Sequence, residues 1–102
     1  MSNPLLAGLA PVHPGEVLRE DVLPALARSK SEIAKLLGIT RTTLYGILNG
    51  DQSVTSEMAL RIGKLTDTSP KVWLNLQQDY DLRIGEHKLA AELERIPTLE
   101  VA

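Results

Sequence analysis

Apolar residues along this chain recur every three or four positions, the spacing that lines one side of an α-helix. Five such stripes stand out: Val17, Leu18 and Val22; Ile33, Ala34 and Leu37; Leu44, Ile47 and Leu48; Met58, Ile62 and Leu65; and Trp73, Leu76, Tyr80 and Ile84. The polar residues between them mark helix ends. Pro14 suits a first helical position, and Glu16, Glu20 and Asp21 set acids near the positive end of that helix's dipole. Pro24, which lacks an N–H, is expected to end or kink the helix near Leu23. Ser29 followed by Glu32 forms a capping-box pattern and opens a short helix that Gly38 closes. Thr40 caps the next helix, which ends near Asn49-Gly50, and Thr55 caps a fourth. Ser69-Pro70 opens a long segment that runs past Gly85 through Leu89, Leu93 and Ile96 until Pro97 stops it. No sustained alternation of period two occurs, so only the Thr98–Ala102 tail leaves room for a strand. The pattern predicts an all-α fold of five helices. A short flexible arm is expected over residues 1–12, the helical domain over 13–96 and a C-terminal tail over 97–102.

The stretch from about Lys30 to Asn49 meets the demands of a helix-turn-helix. Two short helices that cross steeply need a small side chain at the crossing, which Ala34 supplies. The turn needs a residue that tolerates positive φ, and Gly38 stands four positions on. Ile39 plugs the turn, while Ile33, Leu37, Leu44 and Ile47 face inward. All seven positions hold a suitable residue type.

The outward side of the second helix adds chemistry. Thr40, Arg41, Thr42, Thr43, Tyr45 and Asn49 offer hydroxyls, a guanidinium and an amide, with no acid among them. A helix N-terminus presents free N–H groups to phosphate, and Arg pairs in two-bonded fashion with guanine in the major groove. Arg41, Thr42 and Tyr45 are therefore the expected base readers. Lys30, Thr40, Thr43 and Asn49 are the expected contacts to the DNA backbone: Lys30 because the first helix of such a motif crosses the sugar-phosphate edge, the other three as polar groups on the outward side of the second helix. Simpler roles stand beside these: a helix cap for Thr40, a C-cap for Asn49 and a surface charge for Arg41. Gly46 presents no side chain where a base contact could sit.

Composition changes the picture in three places. With 102 residues the chain is expected to form one domain, and with no Phe its core must rest on Leu, Ile, Val and Ala. The absence of cysteine removes disulfides and thiolate metal sites and suits a reducing cytoplasm. No apolar run approaches the roughly 20 residues of a membrane helix, so no membrane association is expected. The formal charge of −2 argues at first against nucleic acid, but the charges are unevenly spread. Arg28 to Gly50 holds four bases against one acid, whereas Asp79 to the end holds six acids against three bases. A locally positive segment can meet phosphate while the acidic end faces something basic.

The residues of several stretches carry a family likeness. These are His13-Pro14-Gly15-Glu16-Val17-Leu18-Arg19-Glu20; Ser31-Glu32-Ile33-Ala34 leading to Leu37-Gly38-Ile39-Thr40-Arg41; Thr55 with Glu57-Met58-Ala59-Leu60-Arg61; and Ser69-Pro70 with Trp73-Leu74-Asn75-Leu76-Gln77 and Tyr80-Asp81-Leu82-Arg83. Over residues 12 to 83 the chain resembles the HigA family of antitoxins, within the phage-repressor-like (Xre) helix-turn-helix class. The resemblance implies a lambda-repressor-like domain with an extended C-terminal helix. It also implies a homodimer that represses its own operon through double-stranded operator DNA, and a partner toxin that is a small basic ribonuclease of the RelE type. Trp73, Leu76, Tyr80 and Ile84 line one side of the last long helix, as core or as a dimerisation surface.

An enzyme is the first rival reading. Two histidines 74 residues apart, no phosphate-cradling glycine loop and no metal-ligand cluster leave no catalytic residues, metal or cofactor to nominate. A free-standing phage-type repressor without a toxin would carry the same helix-turn-helix, and so would an interaction module whose reading face has decayed at Gly46.

Overall fold

The computed structural model describes residues 11–101. Most of the arm expected over 1–12, and Ala102 of the tail, lie outside the described residues. Six helices form. Helix α1 has three consecutive pieces, Pro14–Val17, a π-helical turn Leu18–Val22 and Leu23–Leu26. Then follow α2 (Lys30–Leu37), α3 (Arg41–Leu48), α4 (Ser56–Thr66), α5 (Pro70–Lys88) and α6 (Ala90–Glu94).

Two expectations need correction. Pro24 does not end α1, which continues to Leu26. The chain widens by one residue ahead of the proline, and the Leu23 N–H donates to the Leu18 carbonyl five positions back. That wider turn absorbs a ring that would crowd an ordinary α-helical ladder. The last long segment is two helices, not one. It passes Gly85 without interruption and breaks at Leu89, whose φ of −99° and ψ of 9° cap α5 and lead into α6. The tail over 97–101 is not a strand.

Local caps hold the middle helices in register. Ser29 Oγ accepts from the Glu32 N–H at 3.1 Å. The Glu32 carboxylate does not complete the box; it pairs with Arg28 at 2.6 Å. Thr40 and Thr55 each cap through Oγ1, at 3.1 and 3.3 Å. Ser69 makes no side-chain cap bond, and Pro70 beside it has no N–H to satisfy. Gly38 ends α2 at φ 75°, in the left-handed region.

The core is the inward side of these helices. Leu18, Ile33, Ala34, Leu37, Leu44, Ile47, Leu48, Val54, Ala59, Ile62 and Trp73 are buried, and Ile39 packs against them from the turn. Helices α4 and α5 pack most extensively on each other, and α2 rests on α3 and α4. Among the described residues no helix is long and apolar enough to cross a membrane.

Candidate nucleic-acid interface

The two helices of the motif are capped locally at their N-termini, by Ser29 and Thr40, and are anchored at their C-termini by neighbouring helices. At the C-terminus of α2 the Arg61 guanidinium, reaching from α4, donates to the Leu37 carbonyl at 2.8 Å. At the C-terminus of α3 Arg19, from α1, donates to the Leu48 carbonyl at 3.0 Å. Carbonyls left over at a helix end are thus paired with cationic donors, which the negative end of the helix dipole also favours. Neither arginine stands out in the sequence, since both bonds span more than 20 residues.

Gly15 brings α1 against the same end of α3. A Cβ built on Gly15 would stand 1.7 Å from the Ile47 carbonyl oxygen, so only glycine lets the two backbones approach this closely. His13, two residues earlier, is buried. Its Nδ1 accepts from the Gly15 N–H at 2.9 Å, and its ring meets Tyr80 of α5 edge-on at a centroid distance of 5.0 Å. Burial lowers its pKa below the ordinary value, against smaller upward pulls from the Asp81 carboxylate and a hydrogen bond with the Gln52 backbone. The neutral ring is the form that caps α1, because a protonated Nδ1 cannot accept.

The loop after α3 is fixed from three sides. The Asp51 and Gln52 N–H groups both donate to the Gly46 carbonyl, at 2.8 and 3.0 Å. His13 packs beside Gly50, and buried Gln77 of α5 accepts from the Val54 N–H at 2.8 Å through Oε1 while its Nε2 donates to Asp81. This loop therefore keeps a set position relative to α3, although most of its side chains are exposed.

The expected readers gather on the exposed side of α3. Arg41, Thr42 and Tyr45 are all exposed, with Tyr45 at 45% despite its ring. Together with Gly46, Asn49, Asp51 and Gln52 they line an open cleft of about 550 Å³. Thr40 and Thr43 are joined hydroxyl to hydroxyl at 3.0 Å, with Thr43 half-buried. Asn49 caps the end of α3 through its backbone and leaves its side chain exposed. Lys30 is exposed at the first position of α2. Asp51 brings an acid to the rim, which disfavours phosphate there and is compatible with a cytosine amino group.

The four residues expected on the last long helix divide among separate tasks. Trp73 is core, and its indole N–H donates to Thr68 Oγ1 at 2.7 Å. Leu76 packs against that core, Tyr80 holds His13, and Ile84 is half-buried. Leu82 on the same helix, and Leu89, Leu93 and Ile96 beyond it, are among the apolar side chains left exposed.

A family model described as helix-turn-helix matches residues 18–73. An uncharacterised HTH-type transcriptional regulator of Haemophilus influenzae is 40% identical over 77 residues, covering 76% of this chain and 72% of its own. Among solved structures, antitoxin GraA in complex with its operator superposes with a TM-score of 0.83 at 36% identity, over 100% of this chain and 99% of that one. An addiction module antidote protein of a HigA family from Coxiella burnetii gives a TM-score of 0.81 at 37% identity, over 90% and 100% of the two chains.

Proposed function

This chain belongs to the helix-turn-helix family, in its Xre-like class with HigA antitoxins as structural neighbours, and from that premise we propose that it is the antitoxin of a toxin–antitoxin pair. In this reading it represses its own operon by binding operator DNA as a dimer and neutralises a basic ribonuclease toxin of the RelE-like, HigB type. The observation that carries the DNA-binding half is the cleft on α3, where Arg41, Thr42 and Tyr45 stand exposed on a helix anchored at both ends. The solved operator complex of a relative with the same fold supports it. The toxin half rests on the antitoxin relatives and on the acidic C-terminal third, which suits a basic partner.

Arg41 and Lys30 are assigned different tasks. Arg41→Ala is expected to cost about 1–3 kcal/mol per half-site and to relax preference at one base pair. Lys30→Ala is expected to weaken operator and random DNA alike and to lower the log–log salt slope by about one unit. Titrating both variants against operator and scrambled duplexes at several salt concentrations checks this. A uniform loss for Arg41→Ala would make it a phosphate contact, and an unchanged salt slope for Lys30→Ala would remove it from the interface.

A second reading, a free-standing repressor, is favoured by one observation: the Haemophilus influenzae relative is described only as a transcriptional regulator. The product of the adjoining upstream gene separates the two, since an antitoxin's neighbour would encode a small basic ribonuclease that the chain binds.

A further inference from the structure

Gly46 sits in the middle of the exposed stripe of α3, in register with Thr42 and one residue past Tyr45. A glycine there weakens the helix by about 1 kcal/mol relative to alanine, yet the site is occupied. The side chain of Gln52 lies across it. A Cβ built on Gly46 would stand 2.7 Å from Gln52 Nε2 and 2.9 Å from its Cδ and Cγ. The carboxamide thus fills the place that a side chain at position 46 would take, in the same cleft as Arg41, Thr42, Tyr45 and Asn49.

Its backbone is tied to the helix. The Gln52 N–H donates to the Gly46 carbonyl at 3.0 Å, and the loop is pinned by His13 on one side and by Gln77 on the other. The side chain itself makes no hydrogen bond to the described residues and is exposed, so its amide oxygen and nitrogen stay available. A glutamine amide in a major groove matches adenine, donating to N7 and accepting from N6.

We propose that Gln52, laid over Gly46, is a further base-reading residue that recognises an adenine at a base pair other than those met by Arg41 and Thr42. The proposal rests on the operator-binding reading above. Gly46 is then a positioning residue: its missing side chain makes room for a reader supplied from the loop.

The test is selection of preferred duplexes from a randomised pool by the wild-type chain, Gln52→Ala, Gly46→Ala and the double variant. Circular dichroism verifies folding; Gln52 is exposed and alanine favours helix at 46, so all four chains are expected to fold. The wild type should select a sequence containing an adenine for which Gln52→Ala loses preference by about 5- to 150-fold, with the other positions kept. Gly46→Ala should lose preference at that same pair, because its Cβ displaces the amide, and the double variant should lose no more there than either single one. Replacing that adenine by 7-deazaadenine should weaken the wild type and leave Gln52→Ala unaffected. If Gln52→Ala retains the wild-type preference in full, or weakens all sequences equally, this proposal is overturned while operator binding stands. If the wild type itself selects no sequence, the operator-reading function falls and this proposal falls with it.

Discussion

Single residues at close backbone approaches carry more of this fold than their size indicates. Gly15 is the sharpest case. The obstacle to any side chain there is the Ile47 carbonyl, at 1.7 Å from a built Cβ, and a carbonyl inside a helix cannot rotate away as a long side chain can. Gly15→Ala must therefore push α1 off α3, disturbing the cap that His13 makes and the bond from Arg19 to Leu48. The expected loss is about 1–3 kcal/mol or more of stability, the range for overpacking a rigid site, with weaker operator binding because the end of α3 shifts. Urea unfolding at fixed protein concentration measures it. A loss under about 0.5 kcal/mol, typical of a surface change, would mean the two helices are not in contact there.

At the scale of elements, helix ends were read well wherever one residue suffices and less well where two distant segments cooperate. Ser29, Thr40 and Thr55 cap as their types and positions imply, and Gly38 closes α2. The end of α1 is different: Ala27 takes a left-handed conformation at φ 52°, which a residue with a Cβ adopts at a cost of roughly 1–2 kcal/mol. Asp67, at φ 54°, tolerates that region better because its side chain can bond locally. Ala27→Gly removes the strain and gives back about 0.4–1 kcal/mol through a freer unfolded chain. The balance is a gain of about 0.5–1 kcal/mol, visible as a higher urea midpoint. A lower midpoint would show that the turn is not strained.

The whole molecule is elongated, 53 × 29 × 23 Å, with a radius of gyration of 16.7 Å where a compact chain of this length would have about 13 Å. The end of α5 and α6 stand off the core: every residue from 86 to 101 is exposed, including Leu89, Leu93 and Ile96. The reading cleft on α3 and this acidic, partly apolar extension are built from separate stretches of the chain, so the two proposed partners need not share a surface. Co-expression with the toxin tests that separation. An Arg41→Ala, Thr42→Ala double variant should lose operon repression and still protect the cell. A folded variant that fails to protect would place the toxin on the reading face, and a wild-type chain that neither binds nor neutralises the upstream product would leave the free-standing repressor.

What the sequence determined by itself is everything that depends on neighbours within one or two turns. Helical period, caps, the left-handed glycine at 38 and the seven-residue pattern of the helix-turn-helix are all local, because backbone hydrogen bonds and side-chain facing repeat over three or four residues. The tertiary structure decided what depends on segments far apart. It showed Arg61 and Arg19 closing the two motif helices, a π turn absorbing Pro24, and a break at Leu89 in a segment expected to run unbroken to Pro97. It also turned Gly46 from an empty position into the seat of Gln52. A glycine in a helix tells that something comes close; only the folded chain tells what.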